Sequence, residues 1–248
     1  MKILSIDIGN TRIKIAAMEA GEILHRWELL LEEMEAQLPV LLRKVGFFPE
    51  KVGWISVGQD LAIAEWSTWE NWEPTIQFYP MDRDTQWPIP HEYGTPETLG
   101  PDRIVAIIGA QTLVKDQPIL VIDAGTAITY DCARADGTYL GGAIGPGLQM
   151  RFRALHEFTA RLPLISRTQE APLIGKSTEE SIQSGVIQAM TAEIFEMINR
   201  YREQMGEDMV VFLTGGDGPF FEKRLKNINI ATSSIIHRGI YHILLHSL

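Results

Sequence analysis

The chain carries the same arrangement of an aspartate, a glycine and small polar residues twice, and each copy follows a run of aliphatic residues. The copies are residues 3–11 (ILSIDIGNT) and residues 119–127 (ILVIDAGTA). Either copy alone could equally be an ordinary hairpin turn with a solvated carboxylate. Ordinary hairpins have no reason to match over this length, so the recurrence favours two turns that can hold phosphate.

The residue types in these turns suit a phosphate group and its counter-ion. Glycine allows backbone N–H groups to come close to a ligand and point at phosphate oxygens. The hydroxyls of Thr11 and Thr126 and the amide of Asn10 add side-chain donors. Phosphate would repel Asp7 and Asp123, so we expect these carboxylates to hold the cation that neutralises it, directly or through water.

A second constellation, Gly100-Pro101-Asp102-Arg103, opens a predicted helix that extends to about Leu113. Proline is favoured in the first helical turn, and a carboxylate there suits the positive end of the helix dipole. The positive end of the helix dipole disfavours an arginine in that turn. Arg103 is therefore best explained if an anion binds between its side chain and the helix N-terminus. Arg12 and Lys14 are further sources of local positive charge.

Other motif matches are weaker. Gly215-Gly216 follows a predicted strand and would let a planar ring such as adenine lie against the backbone, although glycine pairs end many strands. Gly175-Lys176-Ser177 resembles the end of a P-loop, but Glu170 stands where that motif requires glycine and no strand precedes it. No acidic partner completes a zinc signature, so we interpret three histidines as surface residues of a terminal helix: His237, His242 and His246.

Composition limits the classes of function. Of 248 residues, 45% are hydrophobic and 22% charged, as in soluble globular proteins, and no apolar run approaches the ~20 residues that span a bilayer. The N-terminus lacks a signal-peptide pattern, which predicts a cytoplasmic protein. Cys132, as a single cysteine, excludes an internal disulfide. The net charge of −10 argues against nucleic acid or an anionic membrane as the main partner.

The elements that must position these motifs alternate between strands and helices. Strands are predicted before both repeated turns, over 52–57 and over 209–213, where each ends in polar or glycine-rich residues. Helices are predicted over 28–45, over 101–113, over 178–205 and at the C-terminus. A further helix is predicted from the glycine-rich stretch 141–147 to about 161. Ser177 and Glu180 have capping-box spacing at the start of the helix over 178–205. Residues 74–96 lack periodicity, and Trp66, Trp69 and Trp72 form a predicted core-facing stripe. The pattern predicts an α/β protein with halves 1–115 and 116–248 and ligand sites at strand ends.

In this order the motifs resemble those of the type III pantothenate kinase family, within the acetate kinase, sugar kinase, Hsp70 and actin superfamily. The matching segments span nearly the whole chain: residues 7–14, Tyr93, residues 100–103, 123–127, 141–147, 177–185 and 214–217. The resemblance implies two duplicated ribonuclease H-like (actin-like ATPase) halves with mixed sheets flanked by helices. Arg12, Pro101 and the Val57-Gly58-Gln59 region depart from the family pattern.

The resemblance also implies roles for individual residues. ATP phosphates would be bound by Thr126 and the first turn, which comprises Asp7, Ile8, Gly9, Asn10, Thr11, Arg12, Ile13 and Lys14. Asp7 would help hold Mg²⁺ through water, Asp123 would ligate K⁺ or NH₄⁺, and Gly215 and Gly216 would lie by the adenosine. Pantothenate would be bound by Tyr93, Gly100, Pro101, Asp102, Arg103 and Thr178, with Asp102 as proton acceptor.

The activity implied is ATP-dependent phosphorylation of pantothenate to 4'-phosphopantothenate, the first step of coenzyme A biosynthesis, in a homodimer. Two alternatives stay open at the level of sequence. One is a kinase of the same superfamily that acts on a sugar or a short-chain acid. The other is a non-catalytic relative that binds nucleotide and regulates, although Asp102 and Asp123 are both present.

Overall fold

The computed structural model describes residues 1–9, 12–56, 63, 69, 75–225, 230–231 and 234–246, and the structural statements below concern those residues. The chain forms two compact units. Unit 1 comprises Met1–Leu113 and Ser234–Leu248, and unit 2 comprises Val114–Ser233. Each unit contains one five-stranded mixed sheet with helices packed on it.

The sheet of unit 1 has the strand order β3-β2-β1-β4-β5. Antiparallel pairing joins β1 to β2 and β2 to β3, whereas β4 runs parallel to both β1 and β5. The strands are β1 (Lys2–Ile8), β2 (Arg12–Glu19), β3 (Glu22–Leu30), β4 (Lys51–Ser56) and β5 (Gln77–Met81).

The sheet of unit 2 repeats this topology, with the order β10-β9-β6-β7-β8 and the same alternation of antiparallel and parallel pairs. Its strands are β6 (Ile119–Ala124), β7 (Ala127–Ala133), β8 (Tyr139–Pro146), β9 (Val210–Thr214) and β10 (Ile230–Ala231). β6 therefore corresponds to β1 and β9 to β4. The predicted fold class, two duplicated halves with mixed sheets flanked by helices, is confirmed.

The helices are amphipathic or buried and cover the sheets. They are α1 (Met34–Val45), α2 (Pro101–Gln111), α3 (Leu148–Glu157), α4 (Thr178–Gln183), α5 (Ala189–Met205), α6 (Gly218–Glu222) and α7 (Ile235–His246). A π-helical turn, Ser184–Gln188, joins α4 to α5, so the predicted helix over 178–205 is confirmed as one interrupted helix. The Ser177 side chain accepts a hydrogen bond from the backbone N–H of Glu180, as the capping-box spacing predicts.

Helix α7 belongs to unit 1, whereas the sequence placed it in the second half. It packs against α2 at two glycines, because a Cβ on Gly109 would lie 1.8 Å from the Ile235 carbonyl oxygen, and one on Gly239 2.1 Å from the Val105 carbonyl oxygen. The buried ammonium of Lys51 on β4 donates to a carbonyl near the end of α7 at 2.8 Å. The sequence could not reveal these contacts, since they join residues far apart in the chain.

Several predicted boundaries were wrong. The helix expected from residue 28 begins only after β3, because residues 22–30 pair with β2 as an edge strand. The irregular stretch 74–96 contains β5, and most of the glycine-rich stretch 141–147 is strand β8. Trp69 is buried in the core of unit 1, while Trp66, Trp72 and residues 57–59 lie outside the described residues.

His237 is buried on α7, so its interpretation as a surface histidine was wrong. Its Nδ1 lies 2.8 Å from the hydroxyl of Ser5, a fully buried residue on β1. Burial, together with the smaller effects of the charges of Arg26 and Lys14, lowers the pKa of His237 to about 3. The imidazole is therefore neutral in the folded chain at every pH near neutrality.

We predict that this histidine makes the fold sensitive to acid. Below pH 6.5 the unfolded chain binds a proton on His237 that the folded chain refuses until about pH 3, so stability falls as pH falls through that window. The slope from this group approaches about 1.4 kcal/mol per pH unit. Chemical denaturation at pH 7, 5.5 and 4 should show a smaller acid loss for His237→Asn than for the wild type. The exposed His91→Asn should keep the wild-type slope, and equal slopes for all three proteins would contradict the prediction.

Candidate active site

The first repeated turn begins at the end of β1 in unit 1. Asp7 is the penultimate residue of β1, and the backbone N–H of Gly9 donates to the Arg12 carbonyl at 3.1 Å as the chain returns into β2. The side chains of Ile8 and Ile13 are buried in the core, so only their backbone groups could contact phosphate. Two further predicted phosphate ligands lie outside the described residues: Asn10 and Thr11.

One cation, Lys14, and a second carboxylate lie close to Asp7. Lys14 pairs with Asp7 in the β1–β2 register, and Arg12 forms an exposed ion pair with Glu28 at 3.1 Å. The pKa of Asp7 is raised to about 6 chiefly because the residue is buried; Lys14 lowers this pKa and the carboxylate of Asp102 raises it. Asp102 therefore lies close enough to Asp7 for their charges to interact, although the two residues are far apart in sequence.

The N-terminus of α2 holds Asp102. Gly100 is the residue that precedes the helix and Pro101 is its first residue, as the sequence predicts. A Cβ on Gly100 would lie 2.5 Å from Oδ1 of Asp102, so glycine leaves the space that this carboxylate occupies. The backbone N–H of Arg103 donates to the Gly100 carbonyl at 3.1 Å and closes the first turn.

Arg103 and Tyr93 form the neighbouring part of the site. Arg103 is only 6% exposed, its Nη1 donates to the Tyr93 hydroxyl at 3.4 Å, and its guanidinium carbon lies 5.6 Å from the Tyr93 ring centroid. The structure thus brings together four predicted substrate residues within unit 1: Tyr93, Gly100, Asp102 and Arg103. A planar guanidinium fixed beside a carboxylate can orient a polar anionic substrate.

The second repeated turn lies at the end of β6 in unit 2. The backbone N–H of Gly125 donates to the Ala127 carbonyl at 3.0 Å, and Thr126 is exposed. Oδ1 of Asp123 lies 3.0 Å from where a Cβ on Gly125 would be and 2.6 Å from where one on Gly215 would be. Two predicted motifs therefore meet at Asp123, and glycine is required for that close approach.

Thr178 belongs to unit 2, where it lines a cavity of about 800 Å³. Apolar and polar side chains share the lining, which comprises Leu155, Leu162, Gly175, Lys176, Ser177, Thr178, Ser181, Ile182 and Gly185. The π-helical turn contributes Gly185, in line with the frequent occurrence of such turns at functional sites. Sequence reasoning missed Lys176 and Ser177 as cavity residues after rejecting them as a P-loop, although the capping box placed a helix start there.

The described ranges contain neither a cluster of metal-ligating side chains nor a membrane-spanning helix. Among those residues, no three histidine, cysteine, aspartate or glutamate side chains are grouped as a metal site would need. In the same part of the chain, no helix is both long and apolar enough to span a membrane.

Comparison with known proteins identifies the family. The sequence model of type III pantothenate kinase matches residues 3–200 of this chain. The type III pantothenate kinase of Flavobacterium johnsoniae is 39% identical over 239 residues, which cover 94% of this chain and 93% of that protein. The chain belongs to the type III pantothenate kinase family. The sequence resemblance is thereby confirmed.

Solved structures support the fold of this family member. A Campylobacter jejuni protein provisionally assigned to the Baf family of transcriptional activators superposes with a TM-score of 0.59 at 21% identity, covering 98% of this chain and 97% of that chain. A glucokinase from an Antarctic psychrotroph gives a TM-score of 0.54 at 11% identity and covers 99% of both chains. At these identities the likeness shows a shared fold, the sugar kinase and actin-like ATPase fold that the sequence resemblance implies.

The geometry of the second turn predicts different outcomes for two adjacent glycines of this pantothenate kinase family member. Gly215 has φ +89° and a Cβ there would lie 2.5 Å from the Ala124 backbone, whereas a Cβ on Gly216 meets nothing within 4 Å. Gly215→Ala should therefore lower the free energy of unfolding by about 1–3 kcal/mol. Gly216→Ala, the matched control, should stay within about 0.5 kcal/mol of the wild type. Equal denaturation midpoints for the two variants would contradict the close approach of this turn to β6.

Proposed function

We propose that this chain transfers the γ-phosphoryl group of ATP to the primary hydroxyl of pantothenate. One observation carries the proposal: within unit 1, Asp102 lies beside Asp7 at the end of β1, next to the buried Arg103 and Tyr93. A proton acceptor, a carboxylate suited to a cation and an anion-binding cation are thus adjacent. Family membership makes pantothenate the substrate for which this arrangement is used.

Asp102 acts as the proton acceptor in this proposal. Its carboxylate stands at the N-terminus of α2, where the helix dipole favours the charged form, and Gly100 keeps space for it. It would accept the hydroxyl proton as the oxygen attacks phosphorus. Arg103, held by Tyr93, would bind the anionic end or the polar groups of pantothenate and orient the hydroxyl.

The residues of the first turn fit a divalent cation. Burial raises the pKa of Asp7 and the neighbouring Asp102 carboxylate raises it further, so a bound cation would stabilise the charged form of Asp7. Asp7 would hold Mg²⁺ through water. When bound, the metal ion supplies neutralisation of the phosphate charge. Lys14 and the backbone of the turn would add positive charge and donors for the phosphates.

In unit 2, Asp123 fits a monovalent cation, K⁺ or NH₄⁺. Its carboxylate occupies a cradle between Gly125 and Gly215 that side chains would fill. Thr126, exposed at the turn, would donate its hydroxyl to phosphate, and Gly215 and Gly216 would lie against the adenosine. Each of these contacts uses small residues to bring the backbone close to the ligand.

We also propose a homodimer in which Thr178 contributes to the pantothenate site. Exposed apolar side chains lie close in sequence to residues that line the cavity with Thr178, and burying them against a second copy would be favourable. They include Phe158 (85% exposed), Leu173 (77%) and Ile174 (77%). Light scattering would contradict this assembly if it gave a monomer mass.

The proton-acceptor role predicts a specific loss in Asp102→Asn. Turnover should fall ~10²–10⁴-fold because the amide cannot accept the proton, while ATP binding changes little. ADP release measured with pantothenate, and with a panel of sugars and short-chain acids, tests both the residue and the substrate. Asp84→Asn, an exposed aspartate elsewhere in unit 1, should keep wild-type turnover. Full activity in Asp102→Asn would contradict the proton-acceptor role of Asp102. A preference for a sugar would contradict pantothenate as the substrate.

The cation cradle predicts a response to K⁺ that depends on Asp123. Replacing Na⁺ by K⁺ or NH₄⁺ at constant ionic strength should accelerate ADP release, and Asp123→Ala should abolish the difference because the carboxylate ligand is lost. Asp84→Ala should retain it. Equal rates of the wild-type protein in Na⁺ and K⁺ would remove the monovalent site from the mechanism.

A further inference from the structure

A cluster of charged and aromatic side chains adjoins the turn predicted to contact adenosine. We call it the Arg167 cluster, and it consists of Arg167, Asp217, Phe220 and Arg224. Arg167 comes from residues 158–177, which join α3 to α4 without a regular helix or strand. Its guanidinium forms a salt bridge with the Asp217 carboxylate and lies 5.2 Å from the Phe220 ring centroid.

The cluster attaches the 158–177 connection to α6 at a second point. The guanidinium of Arg224 stacks on Phe220 at 3.6 Å from the ring centroid, and its Nη1 donates to the Phe220 carbonyl at 2.9 Å. Its Nη2 donates to the carbonyl oxygen of Gln169, on the connection itself. Residues 167–169 are therefore held by two arginine contacts, one between Arg167 and the turn and one from Arg224, which follows α6 and stacks on Phe220.

Asp217 links this attachment to the turn of residues 215–217, which is predicted to contact adenosine. Its backbone N–H donates to the Ala124 carbonyl at 2.9 Å, one residue after Asp123, while the N–H of Gly218 donates to the Gly215 carbonyl at 3.1 Å. The main chain of the turn is thus bonded to β6 on one side, and the Asp217 side chain is bonded to Arg167 on the other. Removing Arg167 would free one side of the turn.

The partial exposure of Arg167 and Asp217 indicates that their salt bridge affects the turn more than the stability of the whole protein. The side chains of Arg167 and Asp217 are 43% and 21% exposed, and ion pairs in such positions contribute little to global stability. Burial raises the pKa of Asp217 and Arg167 lowers it, so the arginine stabilises the charged carboxylate. Loss of the arginine should therefore alter the turn more than it alters unfolding.

We propose that Arg167 is a positioning residue for the nucleotide: through its salt bridge with Asp217, it holds residues 215–217 in the conformation that receives adenosine. The inference rests on the proposed function, and on the assignment of Gly215 and Gly216 to the adenosine. The cavity end of the connection has its own attachments, since Ser184 Oγ donates to the Leu173 carbonyl at 2.6 Å and Gln188 Nε2 to the Ala171 carbonyl at 2.5 Å. Arg167 should consequently affect ATP more than pantothenate.

The test compares Michaelis constants for the two substrates. Arg167→Gln should raise KM for ATP at least about 5-fold, the scale of coupling between contacting residues, with KM for pantothenate and the melting temperature close to wild type. Arg200→Gln is the matched control, because Arg200 forms an exposed ion pair with Glu196 at 2.9 Å on α5. Equal rises in both Michaelis constants, or none, would overturn the positioning role.

Direct binding separates this proposal from the proposed function. In calorimetric titrations without pantothenate, ADP should bind at least about 5-fold more weakly to Arg167→Gln and to Asp217→Asn than to the wild type. The double variant should bind ADP as weakly as either single variant, because both changes break the same contact. Arg167→Lys should recover part of the loss by keeping the charge.

Additive losses, or unchanged affinity in both single variants, would overturn the proposal even if pantothenate were phosphorylated. If pantothenate were not a substrate, weakened ADP binding would still support it. Should Arg167→Gln fail to fold, Arg167→Lys and Asp217→Asn carry the same test.

Discussion

The close packing of α2 on α7 determines where Asp102 lies, and the chemistry of unit 1 depends on that placement. Gly109 and Gly239 let the two helix backbones approach to distances that no side chain would permit. Because α7 is in turn fixed to β1 by the Ser5–His237 contact, α2 has little freedom to shift relative to β1. The N-terminus of a buried helix is therefore fixed beside the end of the central strand.

This placement carries an electrostatic cost. Two carboxylates, Asp7 and Asp102, lie close enough for each to disfavour the charge of the other, and burial disfavours the charge of Asp7 further. Lys14 offsets part of this cost from the opposite position on β2. Perturbed carboxylates of this kind occur where a cation or a proton is to be bound, whereas a site selected for stability alone would separate the charges.

The sequence predicted the features that are determined by residues close together in the chain. The repeated turns, the proline-initiated helix at Pro101 and the cap at Ser177 all depend on neighbouring residues, and the structure has each of them. The burial of His237 depends on a serine at the other end of the chain, and β3 exists because β2 offers it an edge. The same holds for Arg167, whose partner lies 50 residues away. Such long-range pairings leave no periodicity or motif in a single sequence.

The two turns share a backbone but differ in the residue that faces the aspartate across the hairpin. In unit 1 that residue is Lys14, whereas the equivalent position opposite Asp123 is occupied by Thr129, which carries no charge. A fixed cation beside Asp7 lowers the net negative charge there, which suits the phosphate-binding role proposed for this turn. The neutral residue opposite Asp123 adds no competing cation, which suits the monovalent ion proposed for that turn. The two units thus share one scaffold, and a single cross-strand position distinguishes the two proposed roles.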